Sequence, residues 1–393
     1  MKMIYISNQR LPTEKAYGVQ IAKMCEVFGS LGLDVFLIAP YRISRIKNNL
    51  FEYYGVKINF KFKKIFSPDF YLLGKLNWVA FQIKNFISTV ILVIYVLVQK
   101  SDIIYSRDEL PLYLLSFFKK NIFFELHKFS KRKKMFYRRF KKLNLKIIVI
   151  SKGNREELLK LGFKENNIAV APDGVDLEKF SNLASDDPFD KTQGHPERSR
   201  TDDRSAIRKQ LNLPQNKKII GYVGQLKTMG MEKGIGTLIK AFKIINLQNK
   251  DLMLVIVGGR EEDLREYEPS EDILFLGHKP YNLIPCYLKA FDVLTMPFPY
   301  NHHYAFYMSP LKLFEYMAMN RPIVATDLPA TREILNENNA ILVKADSVQS
   351  LSEGIKKLLE DEDLAKKLSE QAFQDVQNYT WLKRAGIILE FIK

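Results

Sequence analysis

KKIIGYVGQLKTMGMEKGIGTLIKAFKIINLQNKDLMLVIVGG, residues 217–259, decides the fold. The runs IIGYV and LMLVIV are apolar without alternation, as strands covered on both faces are. Between them a loop punctuated by Gly224, Gly230 and Gly234 leads into a helix expected from about Gly236 to Asn246. A strand, a crossing helix and a second strand of the same kind make a parallel unit. The pattern continues through ILFLG (273–277), VLTMPFP (293–299), PIVAT (322–326) and AILVK (340–344).

The same reading extends back to the start of the chain. MIYIS (3–7), DVFLIAP (34–40), DIIYSR (102–107), IFFELH (122–127) and KIIVIS (146–151) are short apolar runs separated by helical patterns. In the first of these helices Val19, Ala22, Met24 or Cys25 and Phe28 recur at helical spacing, and Gly32 sits in its C-cap region. The expected class is therefore α/β, with two doubly wound halves and no detailed sequence repeat between them. Residues 181–206 are polar, with Pro and Gly and almost no large apolar side chain. The expected division is a first domain over 1–180, a linker or surface insertion over 181–215, a second domain over 216–375 and a closing helix over 376–393.

The 393 residues are 47% hydrophobic and 26% charged, which excludes a collagen-like or wholly disordered chain. Two cysteines, Cys25 and Cys286, with no CxxC, exclude a disulfide scaffold and structural zinc, and a reducing cytosol is the expected compartment. MKMIYISNQRLP lacks the apolar stretch and cleavage site of a signal peptide. Residues 1–180 hold 32 Lys and Arg against 15 Asp and Glu, whereas residues 181–393 hold 28 against 29. The whole basic excess lies in the first half, which suits an anionic surface, either membrane or nucleic acid.

Two segments bear on that surface. Trp78–Val98 carries Gln82, Lys84 and Asn85, and only Val90–Val98 is uninterruptedly apolar, short of the ~20 residues of a span. It is expected as a buried helix beneath the sheet, with an interfacial helix and a true span as alternatives. KRKKMFYRRFKKLNLK, residues 131–146, has nine basic residues and no acidic one. Phe136, Phe140 and Leu143 form one stripe there. The pattern is that of a basic helix lying on anionic lipid, and equally that of a solvated helix with a core-facing stripe. The basic candidates for lipid or acceptor are Lys131, Arg132, Lys133, Lys134, Arg138, Arg139, Lys141 and Lys142. Nucleic acid is not expected, because no nucleic-acid motif accompanies the charge.

Four segments carry chemistry. In MSPLKLFEYMAMNRPIV, residues 308–324, Ser309 is the expected N-cap and Pro310 the first helical residue. A helix N-terminus suits phosphate, and Lys312 and Glu315 share a face. A cation for pyrophosphate beside a carboxylate for a ribose diol fits a nucleotide diphosphate; a plain surface ion pair fits the spacing too. The glycine loop 224–234, with Lys233 before its helix, can cradle phosphate or be an ordinary turn. Glu125 and His127 end a strand, where ligands of open α/β sheets bind. His127 there can meet a sugar hydroxyl or phosphate, or be structural; His302 and His303 stay unassigned. Residues 8–18 join the first strand to the first helix, and Gly18 leaves room for close approach of a substrate to the backbone.

Together these segments resemble the family-4 glycosyltransferases, over nearly the whole chain and most strongly in 147–180 and 218–345. The carrying residues are Asp173-Gly174-Val175-Asp176, the loop GYVGQLKTMGMEKG, Gly258-Gly259 after LVIV, HKP at His278, Lys279 and Pro280, Asp292, the helix after Ser309 and Pro310, and Trp381. The resemblance implies the GT-B fold, two Rossmann-like domains facing across a cleft. It implies transfer of a sugar, with retention at the anomeric carbon, from a nucleotide diphosphate sugar and without a metal or other cofactor. By resemblance Lys233 contacts the pyrophosphate and Glu315 the ribose. His127 sits by the sugar and Gly18 flanks the donor. The backbone at His278–Pro280 holds the base, Asp292 is structural, and the segment Gly224, Gly258, Ser309, Pro310, Leu311 and Lys312 lines the donor.

The chain departs from the family at two points. Tyr307 stands eight residues before Glu315, where a sugar-binding glutamate is usual, and Gln225 stands where the phosphate loop often has arginine. Lys312 and Lys227 are candidates for the missing charge. The expected acceptor is a glycan or lipid-linked molecule at the cytoplasmic face of an anionic membrane, in cell-surface polysaccharide synthesis. The alternatives are a nucleotide-sugar 2-epimerase of the same fold and a non-catalytic binding protein.

Overall fold

The computed structural model describes every residue except 45, 72, 75, 182–203 and 229. The chain forms two compact units, Met1–Pro172 with Trp381–Lys393, and Asp173–Thr380. The first boundary lies eight residues before the expected one. The residues 376–380 expected in the closing helix count with the second unit. Most of the expected linker lies outside the described residues. Its described end is a helix, Arg204–Gln210, whose Arg208 is buried and donates to Asp292 at 2.6 Å and to the Ala290 carbonyl at 2.9 Å.

The first unit is built on one sheet of seven parallel strands. These are β1 (Lys2–Ile6), β2 (Asp34–Pro40), β3 (Lys61–Ile65), β4 (Ile103–Ser106), β5 (Ile122–Leu126), β6 (Ile147–Val149) and β7 (Ile168–Val170), in the order β3-β2-β1-β4-β5-β6-β7. The order reverses between β1 and β4, which pair Tyr5 with Tyr105. The central strands are buried along their length because helices cover both faces. β3, sequence KFKKI, gives no apolar run because it is an edge strand and turns Lys61, Lys63 and Lys64 to solvent. The helix Ala16–Ser30 buries Val19, Ala22, Met24, Cys25 and Phe28, and Gly32 after it takes φ 86°.

The second unit repeats this plan. β8 (Lys218–Val223), β11 (Leu252–Val257), β12 (Ile273–Gly277), β13 (Val293–Met296), β14 (Ile323–Thr326) and β15 (Ile341–Val343) form a parallel sheet in the order β12-β11-β8-β13-β14-β15. Its reversal point lies between β8 and β13. β9 (Lys227–Thr228) and β10 (Met231–Glu232) make a small antiparallel hairpin inside the glycine loop. In both sheets the carboxyl ends of the two central strands mark the crevice where open α/β sheets bind ligands.

The helix Leu76–Leu97 differs from the expected buried helix. It turns Ala80, Lys84, Ser88, Thr89, Leu92, Val93 and Val96 inward, while Trp78, Val79, Phe81, Ile83, Phe86 and Ile94 are exposed. The polar residues go inside because the body supplies their partners. Lys84 donates to Asp69 at 2.9 Å, Ser88 to Asn8 at 2.9 Å, and Asn8 to Thr89 at 2.7 Å. Fixing that polar stripe inward leaves the apolar residues on the other side facing out. The segment 131–146 also departs from the expected continuous stripe. Phe140 is buried 5.4 Å from Phe124, Phe136 packs 5.1 Å from Tyr113, and Leu143 is exposed. The segment forms a turn at Lys131–Lys133 and a helix at Lys134–Lys142.

Candidate functional site

In the second unit three strand ends are tied together by glycines. The Gly224 N–H donates to the Val257 carbonyl at 2.8 Å, and the Gly258 N–H to the Gly277 carbonyl at 2.7 Å. A side chain on Gly258, which has φ 109°, would stand 2.4 Å from the Gly224 carbonyl. Gly234, with φ 84°, begins the helix Ile235–Gln248 and lies so close to the Pro297 carbonyl that a Cβ would come within 1.6 Å. These contacts, which no other residue permits, hold the loops after β8, β11 and β13 as one floor.

Lys312 rises over that floor. It is 8% exposed, and its Nζ stands 3.7 Å from the centroid of the Tyr222 ring and 5.5 Å from that of Phe298. A Cβ on Gly224 would meet the ammonium at 2.9 Å, so glycine makes its place. Among the described residues Nζ has no hydrogen-bond partner. Burial, and Lys233 nearby, push its pKa well below the ordinary range against the pull of Glu315. Lys233 is pushed down to about 8 by loss of water around its ammonium. Two desolvated cations thus share one neighbourhood, an arrangement that an anion of two charges relieves.

Glu315, one turn beyond Lys312, is buried and accepts from the Tyr281 hydroxyl at 2.9 Å. Burial raises its pKa, while Tyr281, Lys312 and Lys179 lower it. Lys312 lies within electrostatic reach of both Lys233 and Glu315, so one neighbourhood holds all three. Lys179 stands over the Tyr281 ring at 4.3 Å, just past the loop of His278, Lys279 and Pro280 that follows β12. The helix is Leu311–Ala318, not one opening at Pro310. Pro310 is its N-cap, and Ser309 Oγ accepts from the backbone N–H of Asp173 at 2.9 Å. Ser309 is drawn away by that partner, so the helix N-terminus carries no side-chain cap.

Other expected residues lie apart from the cations. Lys227 does not supply the missing charge: it is paired with Glu266 and lies 3.9 Å from Asp263. Gln225 is tied by its carbonyl, which accepts from the Tyr222 hydroxyl at 2.8 Å. Tyr307 is buried, with its hydroxyl 3.0 Å from His302 Nε2, which gives His302 a partner. Asp292 accepts from Arg208 at 2.6 Å and from the Ile219 N–H at 2.6 Å. A hollow lined by Arg204, Lys218, Asp292, Arg321 and Glu362 lies at the amino ends of β8, β13 and β14, away from the strand ends that carry the chemistry.

In the first unit the end of β5 is a closed polar network. Glu125 is fully buried and accepts from Gln20 at 2.8 Å, from Arg384 at 2.8 Å, from the Tyr105 hydroxyl and from His127 Nε2. Burial alone would raise the Glu125 pKa; Arg384, His127 and Arg107 hold it well below the usual carboxylate range. Burial and Arg107 lower His127 to about 4 despite Glu125. His127 is therefore neutral near pH 7. With Nε2–H given to the carboxylate, Nδ1 is the acceptor atom. Gly18 has an internal reason: a Cβ there would stand 2.0 Å from the Tyr54 hydroxyl, which donates to the Thr13 carbonyl at 2.9 Å. Of the basic candidates, Lys133 pairs with Glu109 at 2.7 Å, Arg139 donates to the Ser116 carbonyl at 3.0 Å and Lys141 to that of Leu161 at 2.9 Å. Lys131, Arg132, Lys134, Arg138 and Lys142 remain exposed.

Sequence reasoning missed Tyr222, Tyr281, Gln20, Arg107 and Arg384. Tyr281 follows the quoted HKP and was within reach; Arg384 sits in an amphipathic helix that reads as solvated until its partner is known.

Residues 203–375 match the protein family described as Glycosyl transferases group 1. The match falls within the second unit. Among relatives, a D-inositol 3-phosphate glycosyltransferase of Corynebacterium urealyticum is 26% identical over 58% of this chain and 51% of its own. The N,N'-diacetylbacillosaminyl-diphospho-undecaprenol alpha-1,3-N-acetylgalactosaminyltransferase of Campylobacter jejuni is 25% identical over 59% of this chain and 56% of its own. The chain spans about half the length of the curated relatives it matches. Over whole chains, Anabaena HepE in complex with UDP and glucose superposes with a TM-score of 0.70, at 16% identity, covering 99% of this chain and 98% of that one. The fold of this chain is thus the two-sheet fold of that structure.

Proposed function

We propose that this protein is a retaining glycosyltransferase that moves a sugar from a nucleotide diphosphate sugar to a membrane-held glycan or lipid-linked acceptor in cell-surface polysaccharide synthesis. The observation that carries the reading is the buried ammonium of Lys312, without a hydrogen-bond partner among the described residues, near Lys233 and in the first turn of the Leu311–Ala318 helix. Breaking the bond from sugar to phosphate builds charge on the leaving diphosphate. Preorganised donors in a dry site lower that barrier. Lys312, Lys233 and the helix N–H groups receive the charge, and Glu315 accepts from the ribose hydroxyls. His127, with Nδ1 as acceptor, is assigned to a hydroxyl of the sugar.

Relatives support the acceptor class: one is named for a diphospho-undecaprenol substrate and another is a capsular polysaccharide biosynthesis glycosyltransferase of Staphylococcus aureus. The buried free cysteines and basic first half suit a peripheral protein on the cytoplasmic membrane face. The test is a thermal-shift screen of nucleotide sugars followed by nucleotide release with membrane extract. Wild type is expected to be stabilised by one donor and to release its nucleotide, and Lys233→Ala and Glu315→Ala to lose release. Equal release from all three sinks the site; a 2-epimer of the donor as the product favours the epimerase.

A further inference from the structure

The outward face of the Leu76–Leu97 helix is the largest feature that the donor and acceptor chemistry leaves unused. It is the helix among the described residues long and apolar enough to cross a membrane by length and composition. Yet its inner face is committed to the protein through Asn8, Asp69 and Arg42, the last donating to Ser88 at 2.7 Å. It lies on the body and cannot leave it without stripping those groups. Its first three turns are nearly bare: Trp78 is 67% exposed, Phe81 54% and Phe86 55%, with Val79 and Ile83 between them. A solvated helix of a soluble protein has polar residues there.

Charge argues for the occupant. Residues 61–101 hold six Lys and one acidic residue, Asp69, which Lys84 neutralises. Lys63 and Lys64 are exposed on the edge strand β3, where Lys61 pairs with Asp34 at 3.3 Å, and Lys63 reaches the last turns of the helix, with Nζ 5.1 Å from the centroid of the Tyr95 ring and 3.4 Å from its hydroxyl. An exposed row of Trp and Phe, on a helix whose other end meets Lys63 and with Lys64 exposed on the same strand, matches the acyl boundary and headgroups of an anionic leaflet. A second copy docked by the same face would bring like charges together.

We propose that residues 76–86 are the lipid-inserting surface of this protein, with the exposed lysines of β3 on anionic headgroups. This deepens the reading of a membrane-held acceptor and rests on it for its purpose. It moves the lipid contact from the 131–146 segment, whose stripe is largely packed inside, to the helix that presents apolar side chains.

The experiment is flotation of the full chain with vesicles of phosphatidylglycerol and phosphatidylcholine, without substrate. Wild type is expected to float, and to float less with phosphatidylcholine alone. The chain has two Trp, of which Trp381 is buried, so a blue shift of emission on vesicle addition reports Trp78. Phe81→Ser with Phe86→Ser is expected to lower the floated fraction at least about tenfold and abolish the blue shift. Arg138→Gln with Lys142→Gln is expected to lower it less. No flotation of wild type, an undiminished double-serine variant, or a greater loss from Arg138→Gln/Lys142→Gln overturns the proposal. So does a wild-type dimer in light scattering that the serine variant dissolves without vesicle binding. Nucleotide release is read separately on the same protein preparations after addition of the stabilising nucleotide sugar and membrane extract; its absence with flotation intact overturns the catalytic reading and leaves the lipid surface standing.

Discussion

Glu125 in the first unit and Lys312 in the second are both buried charges at the carboxyl edge of a doubly wound sheet, and the fold treats them oppositely. Glu125 is surrounded by Gln20, Tyr105, His127 and Arg384, so its charge is answered within its own unit. Lys312 meets two aromatic faces and a second cation, and with Glu315 only within electrostatic reach its Nζ has no hydrogen-bond partner among the described residues. A satisfied network rigidifies, whereas an unanswered charge costs stability and is retained where a ligand supplies the answer. The first arrangement is a scaffold that fixes one imidazole. The second is tension that a diphosphate releases.

The largest effect expected is from breaking the satisfied side. Arg384→Ala leaves Glu125 ionised without its cation and is expected to destabilise the protein by about 3–5 kcal/mol, read by denaturant unfolding. In a Glu125→Gln background the same substitution is expected to cost much less. Equal costs in the two backgrounds would show that Arg384 acts by packing alone. The unanswered side has the opposite sign. Lys312→Met, with apolar neighbours ready for it, is expected to stabilise the ligand-free protein by about 1–3 kcal/mol and to weaken nucleotide diphosphate binding about 100-fold. A Tm that falls in Lys312→Met would mean that the ammonium is already compensated, and the contrast would fail.

This asymmetry explains how much the sequence discloses. The repeated apolar runs expose both sheets because parallel strands buried on two faces leave no other pattern. Lys312 and Glu315 are legible because their spacing is local. The network around Glu125 is not, because Gln20, Tyr105 and Arg384 come from three elements that lie up to 259 residues from it in sequence. The Leu76–Leu97 helix misleads for a related reason: apolar content suggests burial, but which face turns inward is set by Asp69 just before it and by Asn8, 81 residues from its partner Thr89. Ser309 reads as a cap until Asp173 claims its hydroxyl.

Acid sharpens the comparison next. The folded His127 titrates near 4 against an ordinary 6.5, so between these values the unfolded chain binds the proton and the folded one does not. Stability is therefore expected to fall as pH drops from about 6.5 to about 4, by about 3 kcal/mol. Glu125, with its pKa depressed, adds a further loss below the usual carboxylate range. Urea unfolding across this window checks it, and His127→Gln is expected to flatten the upper part of the slope. A slope unchanged in that variant would place the titration elsewhere.

Alkali probes the other side, with the smallest effect. Lys233 gives up its proton near pH 8 in the ligand-free protein, and a bound diphosphate holds that proton on. Below about 8 both states are charged and affinity is flat. Above it, binding must first take up a proton, so affinity is expected to fall by up to about tenfold per pH unit. Calorimetry in buffers of different ionisation enthalpy is expected to show net proton uptake above pH 8. Lys233→Arg, whose guanidinium stays charged, is expected to keep affinity level across the range and to take up less. If uptake persists undiminished in Lys233→Arg and vanishes in Lys312→Met, the titrating cation is the deeper of the two. The diphosphate would then be answered mainly by the residue over the Tyr222 ring.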